Sequence, residues 1–271
     1  MPTWETRFYR FRTPIIWVLK RHNLLCLFLF VCVIILLGEN MKQLERLQLL
    51  VGENNIGKIK NTKVLILGLG GVGSYAVETL VRSGIGSIIL VDYDTIDITN
   101  LNRQLMTNQN NIGKLKTEEL ENRIKTINPG CNIEIINEKI TSETVQKILD
   151  LKPDYIVDAC DTIEVKKKLI LECKKNNIKL ISSMGTGNKF DPSRLKIMDI
   201  RKTSYDPIAK ILRKFVVDNK INYKVMVVCS DEKPLKISNP IGSNAFVPAT
   251  AGLLCASFVI NDITGGKYDS N

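Results

Sequence analysis

Apolar and polar positions alternate along the chain in two rhythms. Residues 64–67 (VLIL) and 87–91 (SIILV) are short apolar runs, as expected of parallel strands buried on both faces. Between them Val72, Ala76, Val77, Leu80 and Val81 recur at helical spacing. The same alternation predicts a helix over 114–127 that stops at Asn128-Pro129, then a strand over 132–136. A helix over 142–149 opened by a Ser/Thr cap and a strand over 154–158 follow. Next come a helix over 163–176, carrying Lys166, Lys167 and Lys168, and a strand over 179–183. Strands and helices repeating in this order predict an α/β fold, a doubly wound and mainly parallel sheet. Past Gly185 the rhythm changes. A strand near 195–200, a basic helix with Lys210, Arg213 and Lys214, a strand over 223–228, a polar mobile loop over 231–246 and an apolar helix over 249–262 read as a C-terminal α+β extension.

Residues 42–60 predict a helix with Leu44, Leu47 and Leu50, a glycine-containing loop and a second short helix. Residues 1–40 stand apart. Their apolar run, 24–37, follows Lys20 and Arg21 and is shorter than the roughly 20 residues that span a bilayer. Two readings stay open. One is a short membrane anchor. The other is a reading frame begun too far upstream: Gly38-Glu39-Asn40-Met41 can be encoded as a purine-rich ribosome-binding site ahead of a start codon. The expected organisation is a hydrophobic extension over 1–40 and one nucleotide-binding domain over 41–271.

The candidate chemistry sits at the first strand–helix junction. Gly68, Gly70, Gly71 and Gly73 follow the first strand, in GLGGVGS, and the helix begins there. Glycines let the backbone turn tightly against a phosphate, whose charge suits the free N–H groups of a helix N-terminus. Asp92 closes the second strand, about 20 residues on, where a carboxylate accepts bonds from ribose hydroxyls. This makes the sheet Rossmann-like, and alone it also fits a nicotinamide or flavin enzyme. The continuation, Asn100-Leu-Asn-Arg103-Gln104 and then Gly113-Lys-Leu-Lys116, decides against that. Arginine offers a planar charged fork and glutamine a hydrogen-bonding amide for phosphate oxygens, as triphosphate cleavage requires. Asn100 can complete the set. Asp94 is either a second ribose ligand or a cap of the following loop. Asp158-Ala-Cys-Asp161 closes a later parallel strand, where α/β sheets place ligands.

Composition sharpens the picture in three ways. The net charge is +10, of which residues 1–40 carry +3. The remaining +7 fits either a polyanionic partner such as RNA or a lysine-rich solvated face. Seven scattered cysteines without a CxxC pair argue for reduced, cytosolic thiols and against a four-cysteine zinc site. Cys160 and Cys173 read as buried core, and Cys229, ahead of the loop, as inert or reactive. The single histidine is His22, so a histidine base within the fold is excluded.

GxGGxGS, DxD, NxxRQ and GxxK occur here in the order found in the ubiquitin-activating-enzyme-like superfamily, the ThiF/MoeB-type adenylating enzymes, which the sequence resembles. The runs MGTGNKFDP, DIRKTSYDPIAKILRK and VVCSDEKP, with a GS…PATAG tail, resemble more narrowly the bacterial tRNA threonylcarbamoyladenosine dehydratases. The resemblance covers about residues 42–263. It implies ATP as cosubstrate with Mg2+, Asp161 as the metal ligand, and Arg103 and Lys116 as catalytic cations, Lys116 being chosen over Lys114. It implies a tRNA substrate and a homodimer in which Arg46 reaches the neighbour's nucleotide, with a sulfur-relay protein as a further partner. The expected location is cytoplasmic, or membrane-anchored through 24–37 if residues 1–40 are real. Two rivals remain: an activating enzyme for a ubiquitin-like sulfur carrier protein, and a noncatalytic sulfur-relay or tRNA-binding scaffold.

Overall fold

The computed structural model describes residues 43–236 and 240–266. The anchor and start-site readings, His22, Cys26 and Cys32 lie outside them. The chain divides into two compact units, Met1–Arg46 and Leu47–Asn271. Helix α1 (Glu45–Val51) carries Arg46, which is exposed; α2 (Glu53–Lys60) leads into the sheet.

Seven strands form one sheet: β1 (Lys63–Leu67), β2 (Ser87–Val91), β3 (Asn132–Ile136), β4 (Tyr155–Asp158), β5 (Lys179–Ser183), β6 (Leu195–Asp199) and β7 (Met226–Ser230). Their order is β3-β2-β1-β4-β5-β7-β6, all parallel except β6, which runs antiparallel to β7 at the edge. The chain thus builds outward from β1 in one direction, then returns and builds outward from β4 in the other. The crevice where the order reverses opens at the carboxyl ends of β1 and β4, the place where such sheets bind ligands.

The central strands owe their position to continuous apolar sequence: β4 is buried throughout, and β1 and β2 at every residue but the first. Leu65, Leu67, Ile89, Val91 and Ile156 pack with α5 (Val145–Leu149) and α6 (Ile163–Lys175) in one core cluster. On the other face α3 (Gly73–Arg82) follows the glycine turn, and α4 (Lys116–Ile127) packs beside it. α7 (Pro207–Asp218) covers the β5–β7 region through Ala209, Leu212 and Val216. The last helix, α8 (Phe246–Thr264), is long and apolar enough to cross a membrane, but it lies against α3. A Cβ on its Gly252 would stand 2.3 Å from the Val72 carbonyl oxygen, so the two backbones touch.

The doubly wound reading holds, and several boundaries move, the last helix running Phe246–Thr264 and not 249–262. The helix expected over 142–149 begins only at Val145. Thr141 N–H donates to Thr144 Oγ1 and the Thr141 carbonyl accepts from Val145, so a side-chain-closed turn takes the place of the first helical turn. The strand expected over 223–228 is Met226–Ser230, because the Tyr223 carbonyl is held by Arg201 and Val225 N–H donates to Asp199. The helix expected from 114 starts at Lys116: Ile96 N–H donates to the Lys114 carbonyl, and Leu115 bridges Thr95.

Candidate active site

At the β1/β4 crevice lies a cleft of about 390 Å³. Nine of the residues proposed from sequence line it: Gly68, Gly70, Gly71, Asp92, Asp94, Arg103, Gln104, Lys116 and Asp161. The glycines have different duties. Gly68 adopts φ +88°, and a Cβ there would come 2.8 Å from the Ala159 carbonyl oxygen. At Gly73 a Cβ would fall 1.8 Å from the Gly68 carbonyl oxygen, so this glycine lets α3 close onto the turn and does not line the cleft. Gly70 is open on its side-chain side, its nearest neighbour there being Gln104 Nε2 at 3.9 Å.

Asp92 is mostly buried and already engaged. Its Oδ2 accepts from Leu69 N–H at 2.6 Å and its Oδ1 from Asp94 N–H at 2.9 Å. Each oxygen keeps a lone pair for a hydroxyl donor. Asp94 does not cap the loop after it; its carboxylate meets Lys116 Nζ at 2.7 Å. The antiparallel bridge between Thr95 and Leu115 brings these two partners together. Lys116 opens α4 with only 5% of its side chain exposed, whereas Lys114 is outside and pairs with Glu119.

Gln104 is buried, and its Oε1 has no hydrogen-bond partner among the described residues. Such an orphaned acceptor in a cleft wall is a vacancy for a donor from a ligand or water. Arg103 Nη1 rests on the Thr99 carbonyl at 2.7 Å and on Asn102 Oδ1 at 2.9 Å. Asn100 sits outside the lining. Its Oδ1 accepts from Asp97 N–H and its carbonyl accepts from Arg103 and Gln104 N–H, so it shapes the turn that presents both residues.

Asp161 stands exposed at the tip beyond β4, bonded only to Thr162 Oγ1 among the described residues. No group of three or more metal-ligating side chains occurs among the described residues. An exposed carboxylate in a cleft that also holds Arg103 and Lys116 is a donor set magnesium can use when phosphate oxygens and water complete its shell. The residues therefore fit a magnesium nucleotide. Arg46 belongs to the other compact unit and is not among the lining residues.

Other lining residues were not singled out from sequence: Tyr93, Glu138, Lys139 and Ile140. Lys139 Nζ lies 5.4 Å from the Tyr93 ring centroid. The signal for 138–140 was available, since they follow the end of a parallel strand. Asp158 points away from the cleft into a wholly buried ion pair with Lys166 at 2.9 Å. Burial works against the Lys166 charge, but the Asp158 carboxylate, with Cys160 and Cys255 beside it, raises the ammonium pKa on balance. Cys160 lines the cleft, and burial together with Asp158 pushes its thiol pKa well up. Cys173 and Cys229 are buried and each is pushed up to about 12, which keeps them as unreactive thiols near neutral pH.

Comparison with known proteins agrees with this geometry. The sequence model of the ThiF family matches residues 42–260. A tRNA threonylcarbamoyladenosine dehydratase of Bacillus subtilis (strain 168) is 42% identical over 241 residues, covering 82% of this chain and 95% of the relative. The crystal structure of the Escherichia coli tRNA N6-threonylcarbamoyladenosine dehydratase in complex with ATP superposes with a TM-score of 0.78 at 31% identity, over 83% of this chain and 94% of that one. A molybdopterin-synthase adenylyltransferase of Haemophilus influenzae is 35% identical but matches only 46% of this chain and 51% of its own length. The chain belongs to the ThiF family and, within it, to the tRNA threonylcarbamoyladenosine dehydratases.

Proposed function

We propose that this chain is an ATP-dependent dehydratase that cyclises the threonylcarbamoyl side chain of a modified adenosine in tRNA. The observation that carries the reading is one cleft gathering the phosphate-loop glycines, Asp92, Arg103, Gln104, Lys116 and Asp161 at the switch point. Residues 41–271 form the catalytic domain, and its location is the cytoplasm.

In this reading Asp92 holds the ribose, and Gly70, Arg103 and the Gln104 Nε2 amide donate to phosphate oxygens, which leaves Gln104 Oε1 for a hydroxyl or water donor. The substrate carboxylate attacks the α-phosphorus, and pyrophosphate leaves with its electron pair. Lys116 and Arg103 stabilise the charge that builds on the phosphates. Asp161 would hold Mg2+, which supplies positive charge to the leaving pyrophosphate. A nucleophilic atom of the same threonylcarbamoyl group then attacks the activated carbonyl. AMP departs, and the ring has lost one water. Holding both groups in one cleft makes this second attack intramolecular, a large kinetic advantage. We propose a homodimer in which Arg46 serves the neighbouring subunit's phosphates. A sulfur-relay protein is the further partner of this reading. The sulfur-carrier rival has the weaker support, since its adenylyltransferase relative matches about half of the chain.

Purified protein, ATP, Mg2+ and tRNA bearing threonylcarbamoyladenosine should give a nucleoside lighter by one water, with AMP and pyrophosphate formed in equal amount. A nucleoside mass that does not change would overturn the assignment.

A further inference from the structure

Lys166 sits in a run of three lysines, yet its side chain is fully buried. Its three ammonium protons meet three acceptors: Asp158 Oδ2 at 2.9 Å, Ser182 Oγ at 3.1 Å and the Ser183 carbonyl at 3.0 Å. Asp158 is equally buried. Its Oδ2 also accepts from Ser182 Oγ, and its Oδ1 accepts from Cys160 N–H at 3.2 Å and Cys160 Sγ at 3.0 Å. The pair therefore ties the tips of β4 and β5 together directly beneath residues 159–162, which wall the cleft.

Stability alone is a poor reason for such a pair. Dehydrating two charges offsets most of their attraction, and well-packed apolar residues of the same volume often do as well or better. What apolar residues cannot supply is a fixed acceptor for Cys160 N–H. That bond sets the course of the chain from Ala159 to Asp161. Asp161 itself is exposed and bonds only Thr162 Oγ1, at 3.5 Å, among the described residues.

We propose that Lys166 is a positioning residue: through Asp158 and the Cys160 amide it holds residues 159–161 so that Asp161 meets the metal-bound phosphates. The inference rests on Asp161 being the magnesium carboxylate of the proposed reaction. Support around a metal ligand is typically worth about 10–100-fold in metal affinity or activity.

ATP titration calorimetry, in Mg2+ and in EDTA, tests it without turnover. Wild-type protein should bind ATP more tightly in Mg2+ than in EDTA, and Asp161→Ala should lose that gain. The double variant Lys166→Met/Asp158→Leu, which leaves neither a buried charge nor an acceptor for Cys160 N–H, should lose about 10–100-fold of the gain while its affinity in EDTA stays at the wild-type value. Ser182→Ala keeps both charges and removes only their hydroxyl bridge, so it should fold and lose part of the gain. Melting curves establish that each variant is folded at the titration temperature. A purely structural pair would lower the melting temperature of the double variant and leave its magnesium gain whole; that result overturns the inference, as does a whole gain in folded Ser182→Ala if the double variant fails to fold. If Asp161→Ala keeps the gain, the metal reading itself is wrong and the inference falls with it. The Asp161→Ala arm tells these two failures apart.

Discussion

Asp92 shows how one side chain can serve binding and folding together. It straps the glycine turn through Leu69 N–H and orders the next turn through Asp94 N–H, while facing the cleft. Asp92→Ala should therefore weaken ATP binding and lower folding stability together, each by about 1–3 kcal/mol, the scale for hydrogen bonds to a charged group. Calorimetry and urea unfolding read the two effects separately. Unchanged ATP affinity with lowered stability would leave Asp92 as a strap alone. The place of Asp92 in the cleft was legible in the sequence because strand, glycines and acid follow one another. The strap was not, since nothing in the order of residues says which amide a carboxylate will meet. Lys166 was harder still. In the run Lys166-Lys167-Lys168 its charge reads as solvated, and only its phase gives it away: with Val165, Leu169, Ile170 and Cys173 it falls on the buried stripe of its helix.

Among the elements, the β1–turn–α3 junction is set by where Cβ atoms can fit. A methyl group at Gly73 would overlap the Gly68 carbonyl, so Gly73→Ala must push α3 away from β1. We expect about 1–3 kcal/mol lost, or more, as in other overpacked cores. Gly70→Ala has room and should change stability by less than about 0.5 kcal/mol, in the range of surface substitutions. Because its methyl points where phosphate is proposed to lie, it should weaken ATP binding instead. Equal stability losses in the two variants would contradict this division of labour. The central strands were readable because a parallel strand buried on both faces is apolar throughout. The starts of α5 and β7 were not, because side chains decide them: Thr144 in one case, Arg201 and Asp199 in the other.

For the whole molecule, the proposed dimer makes a test available that no single subunit offers. An Arg46→Ala subunit keeps its own pocket but cannot donate the arginine; an Asp161→Ala subunit can donate but has a dead pocket. Each homodimer should be nearly inactive, since an arginine supplied in trans can contribute about 10³-fold or more. Mixed dimers should regain one working site. Absence of recovery, with subunit exchange shown, would place Arg46 in its own chain's site or outside catalysis. The motif-bearing cleft residues were legible because each motif is contiguous in the sequence. The packing of Pro248 against the glycine turn was not: it comes from the far end of the chain, yet a Cβ on Gly71 would touch it at 3.1 Å. That contact and the one at Gly252 have a consequence for biosynthesis. The first strand–helix–strand unit leaves the ribosome early, but the face of α3 that Gly252 meets stays uncovered until the last helix is made. Contacts so distant in sequence form late. This early-made unit is thus among the last to be finished, and a nascent chain stalled before residue 246 exposes the helix that its nucleotide site depends on.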